Sequence, residues 1–129
     1  MAVDLKQVKI NNDLLFNAFL VNNQEVIKDL IKKTYSRYKI NDEFFFIINK
    51  FIDIDKNHNY IYPGLIVRTD VDRYIILYLE ETKINEIYAM NIIHDYLKDI
   101  NDIKIKDINI TKFEISKELF FKYYSKNRE

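Results

Sequence analysis

The chain of 129 residues contains one glycine and one proline, and the two are adjacent, Pro63-Gly64. A single glycine excludes every glycine-rich phosphate loop, because those loops need several residues with no Cβ for the backbone to approach the anion. With no Pro/Gly/Ser-rich linker, low-complexity tract or internal repeat, the chain reads as one continuous domain over residues 1–129.

The remaining composition agrees with a packed domain. Hydrophobic residues make up 48% and aromatics 15%, enough to fill a core and too much for a disordered chain. Twenty basic and 20 acidic side chains cancel. A protein that wraps nucleic acid is normally basic, so nucleic-acid contact is expected to be secondary. Cysteine is absent, which removes disulfides and thiolate metal sites and fits a reducing, intracellular compartment. Met1 to Lys6 has no basic region followed by an apolar stretch, and the longest apolar run, Tyr74 to Leu79, is too short to cross a bilayer, so neither a secretory leader nor a membrane is expected. Ile, Asn, Lys and Tyr are abundant and have AT-rich codons, pointing to an AT-rich genome such as that of a virus or mobile element.

Asn12 or Asp13 is expected to cap a short helix through Val21, and Asn22-x-x-Glu25 resembles a capping box. Behind it, Val26, Ile27, Leu30, Ile31, Thr34, Tyr35 and Tyr38 form the cleanest helical stripe. Asn41-Asp42-Glu43 could open a third helix, while Phe44 to Phe51 reads as either helix or strand. Tyr60 to Arg68 and Arg73 to Glu80 predict two strands joined by a turn at residues 69–72, the second apolar on both faces and therefore central. Ile84 to Ile100 predicts a helix with Ile87, Ala89, Met90, Ile93, Tyr96, Leu97 and Ile100 inward. Ile103 and Ile105 alternate with lysines, a bulge is expected at Asp107, and Ser116 could cap a last helix carrying Leu119, Phe120 and Tyr123. The expected fold is mixed α/β, a small central mixed sheet flanked by helices, N-terminal helices first, in a layout compatible with the restriction-endonuclease fold.

Chemistry is harder to find. Asp53 to Asn59 alternates oxygen ligands as a calcium loop does, but His58 stands where such a loop needs glycine, and Gly64 replaces its bidentate acid. A polar surface loop is the plainer reading. Glu81-x-Lys83 resembles half of the PD-(D/E)XK nuclease motif, in which two carboxylates hold a metal ion. Pro63 matches that family's proline, but Gly64 follows where the metal-binding acid belongs, and Asp70 and Asp72 lie in the expected turn. His58 and His94 are far apart, no metal-ligand spacing occurs, and Ser36, Ser116 and Ser125 lack a nucleophile context. No catalytic residue, metal or cofactor is expected.

The stretch Lys117 to Glu129 interleaves Lys117, Lys122, Lys126 and Arg128 with Phe120, Phe121, Tyr123 and Tyr124. Phe120 and Tyr123 share one helical face and Phe121 and Tyr124 the next, so one pair is expected to dock inward and the other, Phe121 and Tyr124 with Lys122 and Lys126 at the rim, to meet a partner. Within it, Ile115-Ser116 and Glu118-Leu119 resemble the Ile-Thr and Glu-Leu of the jaw domain of the fifth subunit shared by eukaryotic nuclear RNA polymerases, with Phe121 in place of that family's proline and Tyr123 or Tyr124 in place of its histidine. The resemblance covers the C-terminal half. It implies a restriction-endonuclease-like fold without catalytic residues, in a small accessory subunit of a viral or plasmid polymerase that binds the large subunit. A small inhibitor or immunity-type protein of a mobile element, anchored by some of the ten tyrosines, and a divergent nuclease are the other readings.

Overall fold

The computed structural model describes residues 5–48, 53–100 and 108–127. Among these residues are four helices, α1 (Leu5–Val21), α2 (Gln24–Thr34), α3 (Glu86–Lys98) and α4 (Lys117–Asn127), and six strands, β1 (Phe46–Ile48), β2 (Asp53–Ile54), β3 (Tyr60–Ile61), β4 (Leu65–Asp70), β5 (Arg73–Leu79) and β6 (Asn109–Ile115). The main sheet has the order β1-β4-β5-β6. The first three strands are antiparallel and β6 runs parallel to β5. A parallel neighbour needs a crossover, and α3 supplies it. This is the mixed α/β arrangement expected from the sequence.

β5 is apolar from Tyr74 to Leu79 because it is covered twice. Ile75, Leu77 and Leu79 pack under α1, α2 and α4 together with Phe16, Leu20, Ile27, Ile31 and Phe120. The alternate residues Tyr74 and Ile76 pack under α3 with Ala89, Ile93 and Leu97. Side chains alternate across a strand, so a strand with a layer on each face must be hydrophobic at every step.

Several local expectations change. α1 begins well before Asn12. Asn22 and Asn23 do not cap α2; their side-chain amides donate to the Ala18 and Phe19 carbonyls, closing the C-terminus of α1 instead. Asn41 to Phe44 is a turn rather than a helix, and the ambiguous run becomes strand over Phe46–Ile48. The expected strand from Tyr60 is broken at Tyr62-Pro63-Gly64: β3 pairs with β2 and only the part after Gly64 joins the main sheet. The buried arc of α3 is Ala89, Ile92, Ile93 and Leu97, whereas Ile87 is 77% and Met90 37% exposed. Ile103, Ile105, the bulge at Asp107 and Phe51 lie outside the described residues.

Candidate functional site

Two places gather the residues singled out above. The first is a cleft of about 410 Å³ where β5 ends, lined by Asp13 of α1, Tyr60, Tyr62, the Glu80–Lys83 turn and Lys117 of α4. Here Gly64, at the start of β4, comes beside the end of β5, as the antiparallel register requires. The acids are already engaged. Glu80 accepts from the Lys117 backbone N–H at 2.8 Å, and Glu81 meets the Lys117 ammonium at 3.0 Å. Asp13 accepts from the Thr82 hydroxyl at 3.0 Å. Burial raises the Asp13 carboxyl above its ordinary value, against the opposing pull of that hydrogen bond and of Lys117. Burial and the Asp13 charge likewise push the Tyr60 and Tyr62 phenols up. Deeper in, the Tyr62 hydroxyl donates to Asn17 Oδ1 at 3.0 Å.

Glu81 does not extend β5. It lies in a turn, with φ 69°, so Glu81 and Lys83 are not on an alternating strand face. Gly64 has φ +86°, and a Cβ there would stand 2.4 Å from Ile76 Cγ2. An acidic side chain therefore has no room where the nuclease motif needs one. Asp70 and Asp72 lie at the other end of β4 and β5, roughly 20 Å away at about 3.3 Å per strand residue. Among the described residues no group of three or more His, Asp or Glu is placed to hold a metal ion.

The Asp55–Asn59 loop connects β2 and β3. Asp55 Oδ1 accepts from the backbone N–H groups of Asn57 and Asn59 at 2.9 and 2.7 Å, and His58 takes the left-handed conformation, φ 63°. The carboxylate thus holds the turn together. His94 lies on α3, a different element from the loop that carries His58.

The second place is α4. Ser116 Oγ accepts from the Leu119 N–H at 3.1 Å, capping the helix as expected. Phe120 is fully buried, its ring 5.1 Å from Phe16 and 5.7 Å from Phe19. Tyr123 donates to Asp29, and the Lys33 ammonium lies 5.5 Å from the Tyr123 ring centre. The expected outward pair is divided. Phe121 is 37% exposed, beside exposed Lys122 and Lys126, but Tyr124 is half-buried with its ring edge-on to Phe19 at 5.5 Å. A helix turn advances 100° per residue, so Tyr124 falls 60° from Phe121, close enough to the docked side for Phe19 to capture it. The sequence spacing does not disclose this, because it depends on Phe19 projecting from α1.

Among the described residues no helix is long and apolar enough to cross a membrane. No protein-family model, no curated protein and no solved structure matches the chain.

Proposed function

We propose that the chain is a non-enzymatic binding module that meets a larger protein partner through the outer face of α4. The observation that carries this reading is the state of α4 itself. The helix is fixed by a buried phenylalanine, a tyrosine–carboxylate hydrogen bond and two capping groups, yet it leaves Phe121 37% exposed, with Lys122 and Lys126 exposed on the same helix to one side of it. An aromatic anchor held rigidly loses little entropy on binding, and such anchors dominate interface energy. The blocked position at Gly64 and the engaged acids of the cleft support the non-catalytic half of the reading.

The C-terminal resemblance makes its most concrete form an accessory subunit of a multi-subunit RNA polymerase. The test is co-purification with tagged wild-type chain, with Phe121→Ala/Lys122→Ala/Lys126→Ala, and with the turn variant Asp55→Ala, each checked for folding. The expected result is recovery of a polymerase large subunit by wild type and the turn variant, and loss of about 2 kcal/mol or more of binding in the helix variant. Retention by the helix variant with loss by the turn variant places the contact elsewhere. Magnesium- or manganese-dependent cleavage of DNA that disappears in Glu81→Ala would replace the reading with a nuclease.

A further inference from the structure

α3 lies on the opposite face of the sheet from α4 and leaves a groove of about 360 Å³ between its flank and β1. Phe46 and Ile48 form one wall, and Tyr88, Ile92 and Tyr96 contribute apolar surface to the other. Phe46 is 48% exposed and stacks on Tyr96, the ring centres 5.3 Å apart and the planes at 22°. Asp95 and Asp99 stand on the rim, and none of the described lining residues is basic. Asp95 meets only the exposed Lys98, at 3.5 Å, among the ion pairs of the described residues. Both acids are near the C-terminal end of α3, whose exposed carbonyls add to the negative charge on this side of the groove and favour an approaching cation.

We infer that this groove binds a basic, extended peptide segment of a protein partner, added as a strand along β1. β1 is an edge of the main sheet among the described residues, so its outer backbone groups can pair with an incoming chain. Phe46 and Ile48, two apart, both face α3, and an added strand would direct its own alternate side chains the same way. Alternate strand residues repeat at about 6.7 Å. Asp95 and Asp99 are separated by a rise of about 6 Å along the helix. Lysine or arginine at two alternate positions of a strand running alongside α3 can reach both carboxylates, with the aliphatic stems over Phe46, since the Tyr96 ring is already covered by Phe46 and the Arg68 guanidinium. The site is independent of α4, and its occupancy would give the domain a contact on each face.

The probe is a fluorescein-labelled eight-residue peptide of alternating lysine and threonine. Its controls are an isomer with the four lysines grouped and a peptide of alternating glutamate and threonine. Anisotropy should show saturable binding of the alternating lysine peptide, tighter than the grouped isomer, with no binding of the acidic peptide. Asp95→Asn/Asp99→Asn alters two surface carboxylates without changing their size and should weaken binding about tenfold or more. Hydrogen exchange should show new protection at those β1 amides that point away from β4. The inference is overturned by any of four results: absence of binding, equal binding of the two lysine isomers, equal binding to wild type and variant, or protection that leaves β1 unchanged. Concentration-dependent self-association lost in the same variant would assign the groove to a second copy of the chain and also overturn it.

Discussion

Gly64→Ala tests whether position 64 has room for any side chain at all. At φ +86° an L-residue is strained by roughly 1–2 kcal/mol. The added methyl would also meet Ile76 Cγ2 at 2.4 Å, with Ile84 Cγ2 and the Leu77 carbonyl at 3.4 Å closing the other directions. Ile76 is 2% exposed and cannot swing into solvent. Overpacking of this kind costs about 1–3 kcal/mol, so the total is about 2–5 kcal/mol. The assay is urea unfolding followed by far-UV ellipticity. Ile76→Leu moves the branch from Cβ to Cγ and removes the offending methyl while conserving volume, at a cost below about 1.5 kcal/mol alone. In Gly64→Ala/Ile76→Leu the steric part should be recovered and the φ penalty retained, giving a favourable coupling of about 1 kcal/mol or more. A single variant within about 0.5 kcal/mol of wild type, or a cycle with no coupling, would refute the reasoning.

Two further outcomes follow from the packing and the charges. Ile76→Ala and Leu77→Ala, on opposite faces of β5, should each cost about 2–5 kcal/mol, and an unchanged denaturant midpoint in both would remove β5 from the centre of the sheet. Asp13 has a carboxyl raised by burial above its ordinary 3.8, so the folded state holds that proton more tightly than the unfolded chain; the associated stability is complete below about pH 3.8 and is lost as pH rises through the folded value. Asp13→Asn keeps an acceptor for Thr82 without the charge, so it should be more stable than wild type at neutral pH, with the difference shrinking toward acid. A difference that does not vary with pH would contradict this.

The features legible in the sequence were those set by a single element meeting a single layer. The α2 stripe buries Val26, Ile27, Leu30 and Ile31 as its spacing predicts, but the helix ends at Thr34, which is exposed, so Tyr35 and Tyr38 at the end of that stripe lie beyond the helix. The doubly apolar β5 announced a layer on each side, and Ser116 capped the helix it preceded. The failures occurred where two neighbours competed for one residue. Asn22 and Asn23 sit between two helix ends, and either could claim their amides; the carbonyls of α1 did. α3 carries more apolar residues than its buried face can accept, and the spacing puts Ile87 and Met90 inward and leaves Ile92 out, the reverse of what the sheet buries. The break at Pro63-Gly64 was visible as composition, but its consequence depended on Ile76 from the neighbouring strand lying against Gly64. The groove beside β1 had no sequence signature, because Phe46 and Tyr96 are 50 positions apart and meet only through the crossover.

The acids at the end of β5 are committed to holding α4 in place. Glu80 and Glu81 occupy the place where a metal site would collect acids, but each is bound to Lys117, one through the backbone N–H and one through the ammonium. A carboxylate accepting an N–H at a helix N-terminus stabilises that terminus by about 0.3–1 kcal/mol or more through the helix dipole, and withdrawing it to ligate a metal would leave the N–H unpaired. Lys117 is also the first residue of α4, and Phe120 is its anchor in the core. Recruiting Glu80 or Glu81 for metal chemistry would therefore loosen the helix that presents Phe121, while an acid at position 64 would still collide with Ile76. The same turn cannot readily serve both purposes, and its hydrogen bonds favour the one that holds α4 in place.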